Sequence, residues 1–269
     1  MKLGIAIAPK EALPSAFVVF RDDIELSIKK AHSLGYDGVE LALLDSSQID
    51  LNHVDELCGK YGLEIPMISS GQVYAQGQLC FSSPVKDIQE QAKARIKGLI
   101  DLAEHFSAMI NIGRVRGPVE AGEPYENSEK RFLDSMDEVA AYAEPKGVVI
   151  AVEPVNRYEI NFLNNVGQAA EICAKIDRPN VKIMPDVFHM NIEDASIEAS
   201  LAAHIDQIVY IHFADSNRLA PGMGHLNFPN IIKVLKSLGY EGYVTAEILP
   251  LPTPDEAASQ AARYLRSLL

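Results

Sequence analysis

Four ionisable residues stand alone inside apolar runs in the second half of the chain. Glu153 ends the run Val149-Ile150-Ala151-Val152-Glu153-Pro154 and Asp186 ends Ile183-Met184-Pro185-Asp186. His212 lies in Val209-Tyr210-Ile211-His212-Phe213-Ala214-Asp215, and Glu247 in Val244-Thr245-Ala246-Glu247-Ile248. Their spacings are 33, 26 and 35 residues, each about one strand–helix unit. Two glutamates, an aspartate and a histidine form a hard, oxygen-rich donor set with one imidazole, which suits Mn²⁺, Mg²⁺, Co²⁺ or Zn²⁺. One such residue alone is most simply a satisfied core group or a loop anchor. Four at the same end of successive strands would meet at one spot, where burying them without a cation would cost many kcal/mol or force protonation. These positions are therefore read as a divalent metal centre.

A centre of this kind needs elements that deliver four strand ends to one place. Short, mostly apolar runs recur over residues 3–9, 38–44, 65–70, 108–113, 148–154, 181–186, 208–215 and 243–248. Most are continuously apolar, as strands of a parallel sheet buried on both faces must be. Between them lie helical patterns. Ile24, Ser27, Ile28 and Ala31 share one face and end at Leu34-Gly35. Ser83-Pro84 reads as an N-cap followed by Pro at the first helical position, opening a helix to about Phe106. Further helices are expected over 128–142, 166–176, 230–238 and 254–268. Gly35-Tyr36-Asp37-Gly38 and Gly239-Tyr240-Glu241-Gly242 precede the second and eighth strands like helix C-caps with short loops, and hint at an internal repeat. Eight such units predict an α/β fold, a single-domain (β/α)8 TIM barrel over 1–269, with its chemistry at the C-terminal strand ends. A doubly wound open sheet would call for a Gly-rich phosphate loop, and neither GxGxxG nor GxxxxGK[ST] occurs.

Composition narrows the partners. The chain has 269 residues, 48% of them hydrophobic, which excludes disorder as the dominant state. With 24 basic and 37 acidic residues its net charge is −13, which argues against nucleic acid and against an anionic membrane surface. No apolar run approaches the roughly 18 residues of a membrane span. The N-terminal apolar run gives way to Lys10 and Glu11, too soon for a signal peptide, so a cytoplasmic protein is expected. Cys58, Cys80 and Cys173 form no CxxC pair and are read as free thiols.

The motifs Glu153-Pro154-Val155-Asn156-Arg157-Tyr158-Glu159, Asp186-Val187-Phe188-His189-Met190-Asn191 and His212-Phe213-Ala214-Asp215-Ser216-Asn217-Arg218 resemble the sugar isomerase/epimerase superfamily of xylose-isomerase-like barrels. The resemblance spans the chain, is strongest over 147–250, and fits the D-tagatose 3-epimerase branch best. It implies one divalent ion, Mn²⁺ first, with Mg²⁺, Co²⁺ and Zn²⁺ as alternatives, held by Glu153, Asp186, His212 and Glu247. It implies that Glu153 and Glu247 are the catalytic pair. One removes a proton from a carbon next to a carbonyl and the other returns one to the opposite face. It implies that Glu159, His189 and Arg218 contact substrate oxygens. Homo-oligomers, dimers or tetramers, are common in such a family, but no interface signal is visible.

Residues 110–117 place Arg114 and Arg116 at the expected barrel mouth. Together with 70–74 and 214–225 they look like epimerases that interconvert 5-keto-L-gluconate and D-tagaturonate, both sugar acids. Arg116, with Arg114 as second candidate, is expected to clamp a substrate carboxylate through paired hydrogen bonds. The bland alternative is a solvated loop charge. Gln72, with Tyr74, is expected to roof the site. His225 either lines the pocket or makes a loop hydrogen bond; Glu40 either meets substrate or forms a structural ion pair. Other functions on the same centre are a 3-epimerase of neutral ketohexoses and a sugar or hydroxypyruvate isomerase. An endonuclease-IV-like enzyme would need a basic face and more ligands on the early strands, and a non-catalytic sugar-binding barrel would release no substrate protons.

Overall fold

The computed structural model describes residues 1–269. Nine strands are present: β1 (Lys2–Pro9), β2 (Phe20–Asp22), β3 (Gly38–Ala42), β4 (Met67–Ser69), β5 (Met109–Ile112), β6 (Ile150–Val152), β7 (Val181–Ile183), β8 (Tyr210–Phe213) and β9 (Tyr243–Ala246). All pairings are parallel, in the order β7-β6-β5-β4-β3-β1-β9-β8. Bridges Ile183↔Ile208 and Asp186↔His212 join β7 to β8 and close the ring. This is the TIM barrel expected from the eight recurring runs. β2 lies off the ring and pairs with the upper end of β1. At three residues it is too short for sequence periodicity to reveal.

Ten helices accompany the strands: α1 (Ile24–Ser33), α2 (Leu51–Tyr61), α3 (Gly71–Ala75), α4 (Lys86–Phe106), α5 (Tyr125–Ala143), α6 (Val166–Ile176), α7 (Val187–Glu193), α8 (Ile197–His204), α9 (Phe228–Ser237) and α10 (Pro254–Arg266). α4 starts two residues after Pro84, and Ser83 Oγ accepts the Val85 N–H in the preceding turn rather than capping the helix. The sixth unit, after β7, carries two short helices, α7 and α8, where the sequence showed no single helical pattern. No helix is long and apolar enough to cross a membrane.

Strand alternation sorts the side chains. Ile5, Ile7, Val39, Leu41, Ile110, Ile112, Ile150, Val152, Ile183, Ile211, Phe213 and Val244 belong to one large core cluster with the helices. Residues of the opposite parity point into the barrel. There Met67, Ala151, Met184, Tyr210 and Tyr243 form a separate small cluster that fills its lower part. Two residues further along β6, β7 and β8, the same inward parity delivers Glu153, Asp186 and His212. On β9 it delivers Thr245 and then Glu247. The barrel interior is thus apolar below and ionisable above.

The filler layer is tight. Gly4 pairs with Thr245 across β1 and β9, and a Cβ on Gly4 would come 2.3 Å from Thr245 Oγ1. Thr245 is fully buried and donates a 2.6 Å hydrogen bond to the Tyr210 hydroxyl, so it is not free to rotate away. Gly4→Ala is expected to lower stability by about 1–3 kcal/mol through overpacking. A urea midpoint equal to that of the wild type would show that the layer yields.

Candidate active site

Glu153, Asp186, His212 and Glu247 converge at the C-terminal mouth of the barrel, with one donor atom from each lying within 4.8 Å of the others. Glu153 and Glu247 come from strands on either side of the adjacent pair β7 and β8, so they flank Asp186 and His212. Asp186 is the N-cap of α7. Its Oδ1 accepts the Phe188 N–H at 2.9 Å, while Oδ2 is buried without a hydrogen-bond partner. His212 directs Nδ1 inward, 3.5 Å from Glu153 and 3.8 Å from Glu247, also without a hydrogen-bond partner. Its Nε2 points to Glu40 Oε2 at 2.8 Å. Asn111 donates to Glu153 Oε2 at 3.2 Å. Gly113 leaves room for that carboxylate, because a Cβ there would lie 2.5 Å from Oε2.

A buried polar atom with no partner is costly, and here two such atoms face the same spot. Among protein groups alone, burial pushes Glu247 up to about 8 and Asp186 up to about 6. Burial would lower His212, but the Glu40 and Glu247 carboxylates more than offset it and hold the imidazole well above its usual range. Three carboxylates and an imidazole with free donor atoms fit one divalent cation.

Arg218 lies over the cluster. Its Nη2 is 2.5 Å from Glu247 Oε2 and 3.6 Å from Asp186 Oδ2, and its Nη1 donates to Glu159 at 3.0 Å. Phe17 and Phe188 sandwich the guanidinium, at 3.8 and 4.7 Å from the ring centroids. The backbone of Arg218 is left-handed (φ 61°), a conformation that favours glycine. It is held by hydrogen bonds from its N–H to Asp215 and from Leu249 to its carbonyl. Asn156 donates to His189 Nδ1 at 2.7 Å. Burial, then the charges of Arg218 and Arg116, hold His189 well below its usual range. It is therefore neutral, and with Nδ1 accepting from Asn156 its proton sits on Nε2, 3.8 Å from Asp186 Oδ2. Glu159, His189 and Arg218 thus surround the cluster.

Arg116 does not face the mouth, and this corrects the expected clamp. The residue is fully buried. Its Nε donates to Phe162 O, Nη1 to the carbonyls of Gly113 and Glu153, and Nη2 to Leu163 O, all at 2.8 Å. The fork is committed to main chain and has no room for a substrate carboxylate. Arg114, in the same turn, keeps a quarter of its side chain exposed and lies 3.8 Å from Glu159. Gln72 is buried on α3 with Oε1 unpartnered, and α3 packs on the turn that holds both arginines. His225 is exposed. Phe17, Asn111 and Asn156 were not singled out by sequence. The Asn in Asn156-Arg157-Tyr158 was the available signal for one of them; Phe17 had none.

Fold and site define a family. A model described as xylose isomerase-like TIM barrel matches residues 28–268, and the chain belongs to that family. Similar proteins include sugar epimerases. An L-ribulose 3-epimerase from Methylomonas sp. is 28% identical over 253 residues, covering 90% of this chain and 84% of its own. A 3-dehydro-D-guloside 4-epimerase from Escherichia coli is 24% identical over 267 residues, covering 92% and 96%. The structure of D-psicose 3-epimerase with D-tagatose from Clostridium cellulolyticum superposes with a TM-score of 0.84 at 25% identity, over 100% of this chain and 99% of that one.

Two outcomes follow from the geometry. Because cation binding must displace protons from Glu247 and Asp186, Mn²⁺ affinity measured by calorimetry should rise about tenfold or more from pH 6 to pH 8, with proton release. A flat profile would contradict the buried, proton-binding carboxylates. Arg116→Ala strands four carbonyls and should cost about 3 kcal/mol or more in urea unfolding. Arg116→Lys should recover little of this, since an ammonium cannot reproduce the planar fork.

Proposed function

We propose that this chain is a divalent-metal-dependent epimerase of keto sugars, and that its preferred substrates are keto sugar acids of the 5-keto-L-gluconate/D-tagaturonate type. The observation that carries the epimerase reading is the placement of Glu153 and Glu247 on the two flanks of the Asp186–His212 pair. A cation held by these four residues, Mn²⁺ before Mg²⁺, Co²⁺ or Zn²⁺, supplies positive charge to a carbonyl and its neighbouring hydroxyl as an enediolate develops. One glutamate takes the proton from the carbon beside the carbonyl, and the C–H electron pair moves into the enediolate. The other, as a carboxylic acid, returns a proton to the opposite face and the carbonyl re-forms, which inverts that carbon. A single base on one face would give an isomerase instead. The neutral His189 donates from Nε2 to a substrate oxygen, Arg218 donates to another, and Glu159 accepts from a hydroxyl.

The sugar-acid preference rests on Arg114. With Arg116 consumed by main chain and Arg218 held by Glu247 and Glu159, Arg114 is the arginine of the 110–117 segment left partly exposed beside the site. The second reading, a neutral ketose as substrate, is favoured by the names of the relatives, an L-ribulose and a D-psicose 3-epimerase.

Glu153→Gln and Glu247→Gln should each lower kcat by about 10²–10⁴-fold. Turnover in deuterated water should label the inverted carbon alone. Label on two adjacent carbons with a shifted carbonyl would make the enzyme an isomerase. Arg114→Ala should lose about tenfold or more in kcat/KM on D-tagaturonate relative to D-tagatose and D-fructose, the scale of one charge-assisted hydrogen bond. Equal losses on all three would sink the sugar-acid preference.

A further inference from the structure

Glu40 is not among the four donor residues, yet it is one of the most deeply buried carboxylates in the chain. It sits on β3, across the barrel from β8, with no exposed surface. Its only ion-pair partner is His212, also unexposed, at 2.8 Å between Oε2 and Nε2. Its other oxygen, Oε1, has no hydrogen-bond partner. The Tyr210 ring stands edge-on to the imidazole, with centroids 5.8 Å apart, and its hydroxyl accepts from Thr245. The ring packs edge-on beneath the imidazole, and its hydroxyl lies close enough to the Glu40 carboxylate for the two to interact.

A carboxylate held this way is expensive to bury, and a well-packed neutral residue would be cheaper for the fold. What a carboxylate does that an amide does not is accept only. It fixes the Nε2 proton of His212 toward itself and leaves the Nδ1 lone pair for the cluster, where that atom is unpartnered. An amide in the same place can present its NH₂ to Nε2 and stabilise the opposite tautomer, whose Nδ1 proton would face the cation.

We propose that Glu40 is the positioning residue of the metal centre: it sets the tautomer and ring angle of His212 and adds a fourth carboxylate charge behind the donor set. The inference rests on the metal-dependent reading above and concerns binding rather than contact with substrate.

The test measures Mn²⁺ alone, by calorimetry at fixed pH, on wild type, Glu40→Gln and Glu40→Ala, with thermal melts of the metal-stripped and loaded proteins. The Gln variant should bind Mn²⁺ about 10–100-fold more weakly. Its metal-stripped melting temperature should equal or exceed that of the wild type, and its melting-temperature gain on loading should shrink accordingly. The Ala variant, if it folds, should bind at least as weakly as the Gln variant. A Gln variant that binds Mn²⁺ within twofold of wild type would overturn the positioning role. So would one that melts earlier when stripped but gains as much on loading, since that marks a packing role only. If the wild type itself takes up no divalent cation, it is the metal-dependent reading that fails.

Discussion

Four carboxylates crowd one end of an apolar barrel: Glu40, Glu153, Asp186 and Glu247. Taken out of water and placed together, they repel one another and lose hydration, a cost of several kcal/mol each unless opposite charge is close. The rest of the upper barrel is organised around that cost. His212 is pinned between Glu40 and the cluster. Arg218 reaches in from the segment after β8, sandwiched by Phe17 and Phe188 so that its own desolvation is offset by aromatic contact. A divalent cation completes the neutralisation. Without these positive charges the mouth could not stay both closed and ionised.

The two-residue period of the strands makes such crowding feasible. Every inward acid or histidine sits above an inert inward residue: Ala151 beneath Glu153, Met184 beneath Asp186, Tyr210 beneath His212 and Thr245 beneath Glu247. The outward neighbours of the same strands bind the helices. A one-residue slip in any of these strands would exchange the two sets, which would place an apolar residue at the mouth and an ionisable one against a helix.

This regularity explains what was legible in the amino-acid sequence. The eight apolar runs, and the lone acid or histidine ending each of the last four, are local patterns, so the barrel and the convergence of Glu153, Asp186, His212 and Glu247 could be read from spacing. The link between Glu40 and His212 spans 172 positions, and no local pattern carries such a distance; sequence left Glu40 between substrate contact and ion pair. Phe17 lies in an irregular segment before β2, where neither period 2 nor period 3.6 operates. Arg116 misled for a different reason. An arginine after a barrel strand faces either the mouth or the main chain, and the choice depends on carbonyls at 153, 162 and 163 that only the fold brings near.

The guanidinium of Arg116 has consequences even though no ligand touches it. Burial pushes it down to about 9, so it keeps its charge at neutral pH. It is balanced by carbonyl dipoles rather than by a carboxylate in direct contact. Its field therefore reaches the site, where it helps hold His189 below its usual range. A residue that takes no part in recognition thus acts as a fixed background potential, biasing the mouth toward negative charge before any substrate arrives. It does so from a bed of dipoles that need not reorient when charge develops.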